Sequence, residues 1–243
     1  MRILAAVTRA DPERQTTGNR IIDALPRDVA DAVARAGDLR VLAEGEWVAR
    51  RGDRVRDVIF PVSGAIAHLE EHRDGHTTTI ASIGSNGASG FEALLDQPFA
   101  QFGAVASVPA SVVAVDVRKL RPIHDASPGF RRLLLRYAVA SIRIAAISAA
   151  CARHDYLTAR LARWLLELHD HAGGADLAVT HDRAARMLSV RRPGVTRAAA
   201  LIAATGAIRW DRGRLHLVDA ARLEASACGC YAETKAVIDE AYS

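Results

Sequence analysis

The sequence predicts an α+β protein with an N-terminal β-roll or jelly roll, one long helix, and a C-terminal unit of short helices closed by a hairpin. Three observations support this fold class. Short apolar runs separated by turn residues fill 39–116, a helical period begins at Ser127, and two short helical segments precede two strand-like runs in 175–220. The chain has 243 residues and half of them are apolar, which suffices for two domains with buried cores.

The N-terminal end predicts a tail followed by helices. Residues 1–17 lack a helical or strand period, so we expect a loose tail. The following segment predicts short helical pieces, with Pro26 opening the second and Gly37 closing it.

The strand-like region that follows completes a predicted roll domain over 18–126. Its runs are separated by "PVSG" (61–64) and by "RDGH" (73–76), where an Asp-Gly pair between two strands indicates a hairpin. The segment "ASGFEALLD" (88–96) interrupts the strands and predicts one or two helical turns.

A single helix is predicted over 127–154. Ser127 is suited to cap it and Pro128 to occupy its first position. Apolar and small residues then recur at intervals of three and four: Phe130, Leu133, Leu134, Tyr137, Ala138, Ser141, Ile144, Ala145 and Ser148. Such a stripe suits either packing on the chain's own sheet or pairing with a twin helix, and we interpret the segment as a dimerisation helix.

The third region, 155–243, contains a helix at 157–171 that two glycines, Gly173 and Gly174, should end. Beyond them lies a compact unit over 175–220.

This unit has two short helices and a hairpin. Thr180 is a good N-cap for the first helix, Pro193 can begin the second, and Gly206 ends it. A strand, a tight turn at 211–213 and a second strand follow. This order of elements is typical of a winged helix-turn-helix.

In such a module the second helix enters the major groove of DNA with its N-terminal residues near the base edges. Arginine can hold guanine O6 and N7 with two hydrogen bonds, and small residues would let the helix approach closely. Residues 176–219 contain eight arginines and four aspartates, so their net charge equals the +4 of the whole protein and favours a nucleic-acid partner. The predicted DNA contacts are Arg191, Arg192, Gly194, Thr196, Arg197, Thr180, Arg212 and Arg214.

From Asn19 to Tyr231 the chain resembles the Crp/Fnr transcription regulators. The most specific segments are "RGDRVRDVIFPVSGAI", "THDRAARMLSVRRPGVTRAAALIAATGAIRWDRGRLHLVD" and "LEASACGCY". The resemblance implies a cyclic-nucleotide-binding-like roll, a homodimer on pseudo-palindromic double-stranded DNA, contact with RNA polymerase, and no enzymatic activity. Arg192 and Arg197 match the family's base-reading positions, whereas Pro193 replaces a frequent glutamate and leaves the half-site sequence open.

The residues at the expected effector pocket differ from those of the family members that bind cyclic AMP. Members that bind cyclic AMP carry a Gly-Glu pair and then an Arg-Ser pair that meets the phosphate, but here the first pair reads Phe91-Glu92 and no arginine lies between Arg73 and Arg118. A buried phosphate without a cation would be poorly compensated, so we predict weak or no cyclic-nucleotide binding and assign no cofactor. The residues expected at an effector pocket are Phe91, Glu92, Ala93, Leu94, Phe102 and Gly103.

The alternative hypothesis is a small-molecule-binding or catalytic jelly roll whose C-terminal helices only dimerise it. Three histidines, His68, His72 and His76, surround a predicted turn without the spacing of a jelly-roll metal site. The sequence also lacks a nucleophile–base motif and a phosphate-binding glycine loop, so we do not expect an enzyme or a catalytic metal.

Three cysteines, Cys151, Cys228 and Cys230, are too few for a four-cysteine metal site within one chain. We therefore interpret "CGCY" (228–231) mainly as packing of a C-terminal helix, with a metal or redox site as the alternative. The odd number of cysteines favours a reducing compartment. The N-terminal apolar stretch is too short for a signal peptide and no run of about 18 uninterrupted apolar residues occurs, so we expect a cytoplasmic protein without a membrane span.

Overall fold

A computed structural model describes residues 16–73, 77–172 and 177–243 and confirms the α+β class. The helices are α1 (Arg20–Asp23), α2 (Arg27–Ala36), α3 (Val117–Ala126), α4 (Pro128–His154), α5 (Leu157–His171), α6 (His181–Met187), α7 (Arg192–Ala204), α8 (Ala220–Ser226) and α9 (Cys230–Tyr242), with a 3₁₀ helix at Phe91–Leu95. The strands are β1 (Gly37–Leu42), β2 (Trp47–Ala49), β3 (Asp57–Ser63), β4 (Ile66–Glu71), β5 (Thr77–Ile83), β6 (Gly103–Ala106), β7 (Ala110–Asp116), β8 (Leu177–Ala178), β9 (Ile208–Asp211) and β10 (Arg214–Leu217).

The roll consists of two antiparallel sheets, with strand orders β1-β7-β3 and β2-β6-β4-β5. Strand β7 is buried on both faces, because successive side chains point to opposite sides of a strand. Val112 and Ala114 join the core between the sheets, whereas Val113 and Val115 pack with residues of the surrounding helices. This double burial explains why β7 reads as a nearly continuous apolar run.

The predicted details of the roll have mixed outcomes. Helix α2 follows Pro26 and ends before Gly37, as predicted. The turn predicted at 61–64 begins later, because Pro61 still belongs to β3 and only Gly64 takes a left-handed conformation. Residues 74–76 of the predicted hairpin turn lie outside the described residues, but β4 and β5 on either side pair antiparallel. Helix α3 has no counterpart among the predicted elements.

Helix α4 begins and ends where the sequence predicted. The Ser127 hydroxyl accepts a hydrogen bond from the Phe130 amide at 3.2 Å, and Pro128 occupies the first turn. The predicted apolar stripe packs within the subunit: Phe130 and Leu134 are fully buried in the roll's helical core, and Tyr137 is nearly so.

A second apolar stripe of α4 points away from the subunit. Leu135, Val139 and Ile142 are 55%, 67% and 72% exposed. Among the described residues, α4 is the one helix long and apolar enough to cross a membrane by length and composition. The sequence analysis assigned one stripe to two possible uses, whereas the structure separates two stripes on different faces.

Helix α9 returns from the C-terminal region to α4 and the roll. Ile238 belongs to the same core as Phe130, the Tyr242 hydroxyl donates to the Asn86 carbonyl at 2.6 Å, and Asp239 pairs with Arg20 at 2.8 Å. These contacts connect the end of the chain to the N-terminal domain.

The end of α5 forms a close junction with the roll. The amide of Gly64 donates to the His171 carbonyl at 3.0 Å, and the His171 ring lies against Gly84. A Cβ on residue 84 would lie 2.0 Å from Nδ1 of His171, so this position requires glycine for close approach. His171 is buried, and this burial lowers its pKa to about 4.

We predict that Gly84→Ala destabilises the protein by about 1–3 kcal/mol, because the new methyl group overpacks the junction. Urea unfolding should show the loss. The matched control is Gly129→Ala, where a Cβ meets nothing closer than 3.7 Å. That change should be neutral or stabilise by about 0.4–1 kcal/mol. Equal effects of the two substitutions would contradict the close packing of Gly84 against His171.

Candidate nucleic-acid interface

Helices α6 and α7 form the predicted helix-turn-helix. The Thr180 hydroxyl caps α6 by accepting a hydrogen bond from the Arg183 amide at 3.2 Å. The chain turns through Ser189, whose φ is +53°, and α7 begins with Arg192 and has Pro193 in its first turn. The inner face of α7 is buried through Val195, Ala198, Ala199 and Ile202.

The start of α7 is exposed and carries three guanidinium groups. Arg191, Arg192 and Arg197 are all exposed, and the Arg197 side chain has no hydrogen bond or ion pair with any described residue. Arg192 Nε lies 3.6 Å from Asp182 Oδ1, a separation typical of a weak surface ion pair. The Thr196 hydroxyl donates to the Arg192 carbonyl at 3.2 Å, so it is already engaged within the helix.

Gly194 packs closely against a neighbouring helix. It is half-buried, and a Cβ at this position would lie 3.0 Å from Cδ2 of Leu157 in α5. The missing side chain of Gly194 makes room for α5, while its close approach to DNA stays a prediction.

The wing is a three-stranded sheet of order β8-β10-β9 with a two-residue turn at its tip. Arg212 and Gly213 have φ of +44° and +77°, and two positive φ values are typical of a type I′ hairpin turn. Arg212 and Arg214 are both exposed, so they project from the wing.

His181 links both helices to the wing and was not singled out from the sequence. Its ring packs edge-on against Trp210 with centroids 4.5 Å apart, and its Nδ1 lies 3.1 Å from the Thr196 hydroxyl oxygen. The Trp210 indole donates to the Val179 carbonyl at 2.8 Å. Partial burial and the nearby Arg192 lower the pKa of His181, which favours the neutral ring in this junction.

Not all of the counted arginines are available to a partner. Arg183 is buried, donates to the Ala178 carbonyl at 2.8 Å, and forms an ion pair with Glu44 of the roll. The exposed positive charge of the unit is therefore concentrated at the start of α7 and along the wing.

The roll contains a cavity of about 430 Å³. His68 Nε2 lies 2.8 Å from Ser89 Oγ, and the His68 ring stacks on Phe102 with centroids 6.0 Å apart. Burial lowers the pKa of His68 to about 4 and raises the pKa of Glu92. The lining residues of the cavity are Val48, Ala49, Asp53, Arg54, Val55, Arg56, Asp57, His68, Ser89, Gly90, Glu92, Ala100, Phe102 and Ala104.

Two of the six residues predicted for this pocket, Glu92 and Phe102, line the cavity. The other four have structural contacts instead. Phe91 packs edge-on against Tyr137 with centroids 5.1 Å apart, and Gly103 lies against Trp47. Ala93 and Leu94, the two residues after Glu92, are buried in apolar clusters.

Two cations that the sequence analysis overlooked, Arg54 and Arg56, line the same cavity at exposed positions. The absence of arginine between Arg73 and Arg118 therefore does not leave the lining of this cavity without cations. The acidic Asp53 lies beside these cations.

The comparisons with known proteins agree with this architecture. Residues 39–127 match the family model for a cyclic nucleotide-binding domain, and residues 159–226 match the model for a Crp-like helix-turn-helix domain, so the two matches together cover more than half of the chain. The chain belongs to the Crp/Fnr family. This is a family of transcription regulators, not of enzymes. No curated protein sequence matches significantly.

Solved structures of Crp/Fnr regulators share the fold. FixK2 of Bradyrhizobium japonicum is 18% identical, with 79% of this chain and 98% of that chain covered and a TM-score of 0.67. A CRP-family transcriptional regulator of Thermus thermophilus is 25% identical, with 77% and 96% covered and a TM-score of 0.62. The c-di-GMP-responsive regulator CLP of Xanthomonas campestris is 18% identical, with 79% and 99% covered and a TM-score of 0.59.

The buried histidine of the cavity predicts a dependence of stability on pH. The pKa of His68 falls from an ordinary 6.5 to about 4, so between these values the unfolded chain binds a proton that the folded chain does not. The free energy of unfolding should therefore decrease as the pH falls from 6.5 towards 4, with His68 contributing up to about 1.4 kcal/mol per pH unit.

Urea unfolding of wild type and His68→Gln across this range should show a shallower slope for the variant. His72→Gln, which changes an exposed imidazole, is the control. An equal change of slope in both variants would refute the assignment to His68.

Proposed function

We propose that this protein is a homodimeric, sequence-specific DNA-binding transcription regulator that acts in the cytoplasm, contacts RNA polymerase and catalyses no reaction. The observation that carries the proposal is the exposed start of α7, where Arg191 immediately precedes the helix, Arg192 and Arg197 lie on it, and its opposite face is buried. An α-helix fits the major groove, and guanidinium groups at its start can reach both base edges and phosphates.

The roles of the arginines follow from their positions. Arg192 and Arg197 lie on the first two turns of α7 and would read bases. Arg191, which precedes the helix, and the wing residues Arg212 and Arg214 would contact phosphates. Asp182 must release Arg192 when DNA binds, which costs little because both side chains are exposed.

The second copy is proposed to pair along α4. The exposed stripe Leu135, Val139 and Ile142 continues through Ala146 and Ala149, so the intervals alternate between four and three residues, as in a coiled coil. A membrane is a poor partner for this helix, because its opposite face packs within the subunit. In such a dimer the two α7 helices would contact DNA half-sites whose centres lie about 34 Å apart.

We predict that Arg197→Ala and Arg212→Asn affect DNA binding differently. Arg197→Ala should cost about 1–3 kcal/mol on the preferred site and relax the preference at one base position. Arg212→Asn should weaken binding to all DNA sequences alike and reduce the slope of log K against log salt concentration by about one. Asparagine is chosen because it tolerates the left-handed backbone at this position.

Binding is measured by fluorescence anisotropy on a site selected from genomic fragments and on its single-base variants, over a range of salt concentrations. Equal, sequence-independent losses in both variants would remove the base-reading role of Arg197. An absence of salt-dependent binding to random duplex DNA by wild type would support the catalytic jelly-roll alternative.

We predict that Ile142→Glu dissociates the dimer, because a carboxylate would replace an apolar side chain in the centre of the proposed interface. Sedimentation equilibrium should show a monomer, and DNA affinity should fall as the second half-site is lost. The matched control is Val41→Glu, since Val41 is 75% exposed but lies on β1 of the roll. A monomeric wild type, or an unchanged Ile142→Glu dimer, would contradict pairing along this stripe.

We further propose that cyclic AMP is not the effector. Arg54 and Arg56 lie at exposed positions beside Asp53 and Asp57, so an anion in this cavity would meet both signs of charge. We predict that cyclic AMP leaves the melting temperature unchanged, because a ligand stabilises the folded state only if it binds there. Cyclic di-GMP is tested in parallel, and a saturable rise in melting temperature with cyclic AMP would contradict the proposal.

A further inference from the structure

Three thiols and one carboxylate from two distant segments meet at the end of α4. Cys151 lies in the last turn of α4 and Asp155 follows that helix. Cys228 lies in the connection between α8 and α9, and Cys230 is the first residue of α9. The four potential ligand atoms all lie within 4.8 Å of one another. Sγ of Cys151 is 3.5 Å from Sγ of Cys228, and Sγ of Cys230 is 3.7 Å from Oδ2 of Asp155.

We propose that these four residues bind one Zn²⁺ ion in a tetrahedral Cys₃Asp site. A Zn–S bond of about 2.3 Å in tetrahedral geometry requires sulfur atoms about 3.8 Å apart, which falls within the observed separations. An iron–sulfur cluster would place its own iron and sulfide atoms between the ligands and would need them farther apart. The sequence analysis considered only cysteine as the fourth ligand, whereas the structure supplies a carboxylate four residues after Cys151.

The surroundings of the cluster give a cation access and partial charge balance. Cys151 is buried while Cys228 and Cys230 are half-buried, so an ion can reach the site from solvent. Arg163, whose guanidinium interacts with Cys151, would balance part of the negative charge of the loaded site.

The bound ion would cross-link two segments that are distant in the sequence, the α4–α5 connection and the α8–α9 connection. Helix α4 ends at His154 and α5 begins at Leu157, so Asp155 lies in the short connection between α4 and the C-terminal unit. An ion bound to Asp155, Cys151 and the α8–α9 connection would hold this connection in one conformation. The proposal does not depend on DNA binding.

The test uses the full-length protein, purified under reducing conditions. Elemental analysis should find about one zinc per chain. The apoprotein should bind Co²⁺ with the intense visible bands of tetrahedral cobalt and with thiolate-to-cobalt charge-transfer absorption in the near ultraviolet. Cys230→Ser should remove part of the charge-transfer band and weaken binding by more than the roughly 10–100-fold that loss of an outer-shell partner costs.

Asp155→Asn keeps all three thiols and should weaken Co²⁺ binding while retaining the charge-transfer band. Its matched control is Asp239→Asn, which changes an exposed carboxylate on α9 and should leave Co²⁺ affinity unchanged. If Asp155→Asn and Asp239→Asn bind Co²⁺ equally, Asp155 is not a ligand and the Cys₃Asp assignment fails.

Three further outcomes would overturn the proposal. The reduced protein could bind neither Zn²⁺ nor Co²⁺ while three thiols react with a thiol reagent. The isolated protein could contain a Cys151–Cys228 disulfide and take up no metal after reduction. It could also contain iron and acid-labile sulfide in place of zinc.

Discussion

The architecture depends on one helix that is apolar on two faces. Helix α4 spans 27 residues, or about 40 Å. On one face the Tyr137 hydroxyl accepts a hydrogen bond from the Ala88 amide at 3.1 Å, which ties the helix to the roll. On another face lies the exposed stripe Leu135, Val139 and Ile142. Because a single rigid element carries both faces, a second copy that paired along this stripe, as we propose, would be held in a fixed relation to the roll.

Sequence reasoning succeeded where a local physical signal was sufficient. Ser127 and Thr180 cap helices because their hydroxyls satisfy free amides of the first turn, and this preference needs no knowledge of distant residues. It failed for α3, where Pro122 lies inside the helix and removes an amide donor, which resembles a helix-breaking signal. Its contacts with neighbouring elements stabilise α3, and those contacts are not visible in a local pattern.

The site could be predicted only in part for the same reason. The period of α7 identified its buried residues, but the side occupied by Gly194 depends on Leu157, which lies on another helix. The number of arginines was known from the sequence, whereas the burial of Arg183 beside Glu44 required the packing of α6 on the roll. Likewise, a carboxylate among three cysteines could not be anticipated, because Asp155 meets Cys230 only after the C-terminal segment folds back.

The return of α9 to the roll has a consequence for biosynthesis. Ribosomes make α9 after the winged unit, yet Ile238 completes an apolar core formed mainly by residues 21–137. Domains commonly fold in order of translation, but here the core of the first domain is completed by a segment made after the second one. Until α9 arrives, the flank of α4 that it covers stays open to chaperones and to other nascent chains.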